Sequence, residues 1–127
     1  METPKYYEFM NPTLQALRER GGTLTNEEIV DAVVTHMRLP DEVLERKQHG
    51  HNLGEVEYRI AWAKSYLKQA GYLTQSERGV WALTPKGKDT PRINERALVT
   101  AIRKAYVARR REQSLPPTIP SVQEVDV

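Results

Sequence analysis

The chain has no cysteine among its 127 residues. That absence removes disulfides, thiolate metal ligands and thiol nucleophiles together, and it fits a reducing compartment. No run of about 18 apolar residues occurs, so no membrane-spanning helix is expected. The opening residues, Met1-Glu2-Thr3-Pro4-Lys5, lack the apolar stretch of a secretory signal, which makes the cytoplasm the expected location. Also missing are a Walker-type loop, a dinucleotide fingerprint and a Ser/His/Asp arrangement, so no cofactor is expected. The length suits one domain with one core. Its 39% apolar and 28% charged content is ordinary for a globular domain.

The formal net charge of +2 conceals an asymmetry. Residues 23–57 carry three basic side chains against eight acidic ones. Residues 58–75 carry Arg59, Lys64 and Lys68 with no acid, and residues 76–111 carry ten basic side chains against three acidic. The last stretch, residues 112–127, is acidic. If the basic half folds onto one face, that face attracts a polyanion through counterion release. The alternative is an ordinary solvated surface on which charges cluster by chance.

The start and stop signals outline the elements. Asn11-Pro12 reads as an N-cap with proline at the first helical position, a start one turn earlier near Tyr7 being the alternative, and Gly21-Gly22 closes that helix. Thr23-Leu24 suggests a short strand. Thr25 and Glu28 form a capping box for a second helix carrying Ile29, Val33 and Met37, ending near Leu39. Residues 40–47 suit a further helical turn, and residues 48–54 a loop. A third helix over residues 55–70 puts Val56, Ile60, Ala63, Leu67 and Ala70 on one apolar stripe. Its opposite half holds Tyr58, Ala61, Lys64, Ser65, Lys68 and Gln69; Arg59 sits at the edge, where ion pairing is the ordinary role.

Gly71 ends that helix, and strands over residues 72–75 and 80–84 join through a turn at residues 76–79. Trp81 and Leu83 share the inward face by the period of two. Residues 92–111 read as helix with a ragged apolar side of Ile93, Ala97, Val99, Ile102 and Tyr106. Residues 113–127, proline-rich and then acidic, read as a linker or tail. The order gives an α+β, mostly helical chain, a winged helix-turn-helix. It comprises a three-helix core with a C-terminal two-stranded wing over residues 1–90, plus an extra flanking helix over 91–112. In that architecture the third helix enters the DNA major groove and the wing reaches the backbone or the minor groove beside it.

The stretches "YYEFMNPTLQALRERGG", "NEEIVDAVV", "YRIAWAKSYLKQAGYL" and "RGVWALTPKGK" resemble the N-terminal domain of Mrr-type restriction endonucleases, modification-dependent enzymes of the type IV kind. The resemblance covers residues 6–88. Its most specific part is the pairing of W-A-x-x-Y-L-x-x-A-G, residues 62–71, with R-G-V-W-x-L-T-x-x-G, residues 78–87. It implies a DNA-binding winged helix that a linker joins to a separate nuclease domain, with duplex DNA, methylated DNA included, as partner. Family members tend to carry a basic residue at the position of Glu55. An acid there, near Glu57, repels phosphate, accepts from a cytosine amino group or favours the helix N-terminus. The expected contacts therefore shift along the helix. Lys64 and Lys68, with Arg78, Lys86 and Lys88, are the candidates for phosphate, and Tyr58, Ser65 and Gln69 the candidates for base edges.

Within these residues the letters of a nuclease site occur once, as Asp41 with Glu45-Arg46-Lys47. That chemistry needs carboxylates converging from adjacent strands around a metal, and this segment reads as helix or turn. His49 and His51 make an H-x-H pair, but no third ligand is spaced to complete a zinc site, so no metal is expected. The chain is expected not to be an enzyme itself. Two other readings stand beside the restriction module: a transcription regulator forming a homodimer through the C-terminal helix, and a protein-interaction module. The Arg109-Arg110-Arg111 run is either a phosphate tether or a solvated helix end where cations offset the dipole.

Overall fold

The computed structural model describes residues 1–50 and 53–112. Among these residues the chain is α+β and mostly helical, with six α-helices and one three-stranded antiparallel sheet. A 3-10 turn, Tyr6–Phe9, runs into α1, Met10–Glu19. Then come β1 (Thr23–Thr25), α2 (Asn26–Met37), the short α3 (Asp41–Leu44) and the long α4 (Glu55–Gln69). The hairpin of β2 (Leu73–Glu77) and β3 (Val80–Leu83) leads to α5 (Pro85–Asp89) and α6 (Glu95–Glu112). No described helix is long and apolar enough to cross a membrane.

Local chemistry accounts for most of these boundaries. The Thr25 hydroxyl accepts from the Glu28 N–H at 3.2 Å, while the Glu28 carboxylate accepts from the Thr25 N–H at 2.9 Å, the expected capping box. α4 stops where Gly71 turns to φ +87, and the Tyr72 N–H closes the end on the Leu67 carbonyl at 2.9 Å. β3 is the central strand, pairing with β1 on one side and β2 on the other. The hairpin turn is tighter than residues 76–79. β2 continues to Glu77 through a register irregularity after Gln75, and Arg78-Gly79 alone makes the loop, with Gly79 at φ +77. The Gly79 carbonyl accepts from the Asn26 N–H at 3.0 Å, so the loop is tied to the start of α2.

Leu14, Leu17, Ile29, Val33, Ile60, Leu67 and Trp81 meet in one core, with Leu83 beside them. The two halves of the signature, residues 62–71 and 78–87, meet at the corner after α4. There the Thr84 hydroxyl donates to the Gly71 carbonyl at 2.6 Å and accepts from the Gly87 N–H at 3.1 Å, capping α5. A Cβ on Gly87 would collide with the Tyr72 carbonyl oxygen, which is why this position takes glycine. α5 itself was not expected from periodicity; a threonine cap followed by Pro85 is its only local signal.

Asn11 does not cap α1, which already begins at Met10. Its side chain is buried and pairs with the segment before α6. Nδ2 donates to the Ile93 carbonyl at 3.1 Å and to the Glu95 carboxylate at 2.8 Å, and Oδ1 accepts from the Ile93 N–H at 3.0 Å. α6 begins at Glu95 rather than Arg92, with the Asn94 side chain accepting from the Ala97 N–H at 3.0 Å. Ile93 and Val99 are buried and Leu98 and Ile102 pack against the core, while Ala97 is exposed and Tyr106 half-buried, so the apolar side of α6 is covered in part by its own chain. The expected tail, residues 113–127, lies outside the described residues.

Replacing Asn11 with Ala leaves a buried peptide group at Ile93 without its partner, which costs about 1–3 kcal/mol. Denaturant unfolding is expected to show that loss, and hydrogen exchange to show faster opening in α6 than in α4.

Candidate nucleic-acid interface

α4 is covered on more sides than a single-stripe projection allows. The 3-10 turn, α1 and α6 pack on it, α3 lies against it, and β2 returns along its end. Val56, Ile60, Ala63 and Leu67 are buried as the stripe predicts. The half expected to face solvent is not uniformly exposed. Ala61 is fully buried, Lys64 retains 1% exposure and Ser65 5%, so Lys64 and Ser65 are corrected from surface contacts to interior positions.

The cause is Asn26 at the start of α2 together with Trp81 on β3. Lys64 Nζ donates to Asn26 Oδ1 at 2.6 Å, and Trp81 Nε1 donates to the same oxygen at 2.8 Å. Lys64 Nζ also stands 5.2 Å from the Trp81 ring centroid, within cation–π range. A buried lysine otherwise carries a heavy desolvation cost, and a shared carboxamide oxygen and an aromatic face help to offset it here. The signal in the sequence was the small pair Ala61 and Ser65, four apart, which lets neighbouring elements close on that side of the helix.

The other expected contacts divide by position. Lys68 is exposed; its Nζ donates to Gln75 Oε1 at 2.9 Å, so it bridges α4 to β2. Gln69 is exposed and donates to the Ser65 hydroxyl at 3.3 Å. Arg78 is exposed in the hairpin loop. Lys86 is exposed as well, though its Nζ donates to the Ala70 carbonyl at 2.8 Å and lies 4.5 Å from the Tyr72 ring. Lys88 is exposed on α5, and Tyr58 is half-buried near the other end of α4. Lys68, Gln69 and Lys86 thus gather at the corner where α4 ends, β2 begins and α5 abuts. Tyr58 stands about three turns away along α4.

The first turns of α4 have the opposite character. The Glu55 carboxylate pairs with Arg59 at 2.6 Å. Arg59 also donates to the Thr3 and Pro4 carbonyls at 2.9 and 2.8 Å, the structural role expected of it. Between α2 and this part of α4 runs a groove of about 480 Å³ whose lining includes Glu27, Asp31 and Glu57, with Lys64 at its inner side. Three carboxylates on that rim disfavour a phosphate backbone there.

On the far side of α4, Tyr6, Trp62 and Tyr66 form an aromatic cluster, with the Tyr6 and Tyr66 rings 5.4 Å apart. Arg103 of α6 donates to both phenolic oxygens, to Tyr6 at 3.0 Å and to Tyr66 at 3.4 Å. Burial first, and then the neighbouring Tyr66, push the Tyr6 phenol up to about 12, against the opposing pull of Arg103. Periodicity puts Trp62 and Tyr66 one turn apart on α4, but no local pattern foretold that Tyr6 and Arg103 would reach them from the 3-10 turn and α6.

Asp41 opens α3 and Glu45 follows on the same helical turn, not on a neighbouring strand. Among the described residues no group of three His, Cys, Asp or Glu side chains is placed to hold a metal ion. His51, half of the H-x-H pair, lies outside the described residues.

A family model described as the Mrr N-terminal domain matches residues 6–92, which takes in everything from the 3-10 turn through α5. Comparisons with curated proteins and with solved structures give no match.

Two measurements follow from this geometry. Lys64→Glu places a carboxylate beside Asn26 Oδ1 and the acidic rim, and is expected to cost on the order of 3 kcal/mol of stability. Lys64→Met, which keeps the stem and removes the charge, should unfold at clearly lower denaturant than wild type but above Lys64→Glu. For Tyr6, the unfolded phenol ionises near its ordinary value of 10.0 while the folded one holds its proton to about 12. Its contribution is therefore complete below pH 10 and is lost as the pH rises from 10 to 12. Over that window wild type should lose stability more steeply than Tyr6→Phe; parallel curves would contradict the assignment.

Proposed function

Since the chain belongs to the Mrr N-terminal domain family, we propose that it is the DNA-recognition module of an Mrr-like restriction system, acting as a binding domain whose catalysis resides in a separate nuclease domain. The helices α1, α2 and α4 with the β2–β3 hairpin suit a winged helix, in which α4 and the hairpin approach a duplex together.

The observation that carries this reading is the separation of charge on the surface. The exposed cations Lys68, Arg78, Lys86 and Lys88 belong to the end of α4, the hairpin loop and α5. The acidic groove occupies the beginning of α4 and α2. A duplex is therefore held at the hairpin and α5 end, not along the first turns of α4. Lys68, Arg78, Lys86 and Lys88 contact phosphates, and Gln69 is the side chain left at that end to read base edges, while Tyr58 on the first turn of α4 falls outside the contact. Ser65 and Lys64 act from inside, holding the helix in place. The reading as a regulator dimerising through α6 has less surface to rest on, because Ile93, Val99 and Ile102 pack on the same chain.

The double variant Arg78→Glu, Lys88→Glu is the direct test, read by anisotropy of a labelled duplex across a salt series. Loss of two phosphate contacts should flatten the log–log salt slope by about 1.8 and weaken binding roughly tenfold or more at low salt. Undiminished binding by a folded variant would remove these residues from the interface. Methylated and unmethylated versions of one duplex, run side by side, read whether modification is sensed by this domain.

A further inference from the structure

α6 lies beyond the matched region, which ends at residue 92, yet it is built onto the domain. Asn11 ties down its start and Arg103 its middle. Its charge is strongly one-sided: Arg96, Arg103, Lys104, Arg109, Arg110 and Arg111 against Glu95 and Glu112. Glu95 is already engaged by Asn11 at 2.8 Å.

Three of these arginines recur at a spacing of seven: Arg96, Arg103 and Arg110. Seven residues are two helical turns with little angular drift, so the three line one side of α6 at intervals of about 10.5 Å. Each meets tyrosine. The Arg96 guanidinium lies 5.7 Å from the Tyr7 ring and reaches its hydroxyl at 3.5 Å. Arg103 donates to Tyr6 and Tyr66. Arg110, with Arg109, lies 5.7 Å from the Tyr106 ring. Arg96 and Arg103 are nevertheless exposed, and Arg110 is half-buried.

A guanidinium has five N–H donors, and the Tyr7 contact of Arg96 or the two phenolic bonds of Arg103 leave others for a ligand. Holding the side chain against tyrosine lowers the rotamer entropy lost when those donors engage a ligand. Planar forks suit the paired oxygens of phosphodiesters. The three span about 21 Å, comparable to six base-pair steps along the duplex axis at about 3.4 Å each.

We propose that Arg96, Arg103 and Arg110 form a phosphate-binding track along α6, a second contact with duplex DNA besides the hairpin and α5. This rests on the reading of the domain as a DNA-binding module and extends it to an element outside the family match. The track carries no base readout; it lengthens the footprint and sets how the domain lies along the duplex.

The test uses the full chain with a labelled duplex and a labelled single strand of the same sequence, titrated from low to moderate salt. The triple variant Arg96→Gln, Arg103→Gln, Arg110→Gln should lower the salt slope by about 2.7, at about 0.9 per phosphate, and weaken binding on the order of tenfold. Because Arg103 also packs on Tyr66, thermal unfolding is run alongside. Arg110→Gln, far from that cluster, provides a variant that keeps the domain intact, with an expected slope change of about 0.9. Replacing all three by Lys should retain most of the slope but still weaken binding, since the forks are gone. If the triple and Arg110→Gln match wild type while Arg78→Glu, Lys88→Glu binds weakly, the track is wrong and the module reading stands. If wild type shows no salt-dependent duplex binding, both fall. Tighter binding of the single strand than of the duplex overturns the choice of ligand.

Discussion

One carboxamide oxygen, Asn26 Oδ1, holds three elements in register. It accepts from Lys64 in the middle of α4 and from Trp81 on the central strand, while its own backbone N–H donates to Gly79 in the hairpin loop. α2, α4 and the hairpin are thereby fixed relative to one another through donors that are themselves buried. Net hydrogen bonds to charged groups contribute about 1.5–3 kcal/mol, and weakening the contacts of a buried ammonium costs more than losing one at the surface. Because β3 is the central strand, holding Trp81 holds the whole sheet.

That constraint decides what the surface can present. With Lys64 drawn inward, the middle of α4 contributes no exposed cation, and the groove between α2 and α4 keeps Glu27, Asp31 and Glu57. Positive charge remains at the corner of α4, β2 and α5 and along α6. The strong difference between the two halves of the sequence thus reappears in space as two neighbouring surfaces of opposite sign. An acidic surface beside a basic one orients a polyanion as well as attracting it, since the wrong approach is repelled.

Elements governed by local chemistry were legible in the sequence. The Thr25–Glu28 box, the glycine at the end of α4 and the inward pair Trp81 and Leu83 all depend on neighbours a few residues away. So was the family, because the two signature halves encode one corner in which Thr84 and Gly87 fit against Gly71 and Tyr72. Asn11 was misread for the complementary reason. Asparagine before proline is a good cap in isolation, and its actual partners at residues 93 and 95 are more than eighty positions away.

By itself, then, the sequence determined the order and type of the elements, the apolar stripe of α4 and the division of charge along the chain, since these follow from short-range periodicity and composition. Only the tertiary structure decided which cations stay in solvent. Lys64 and Lys68 are one turn apart on the same helix with similar flanking residues, yet the first is enclosed by Asn26 and Trp81 and the second is exposed. Helical periodicity ranks positions around one axis, whereas exposure depends on how many other elements pack around that axis, and on α4 they close in on nearly every side.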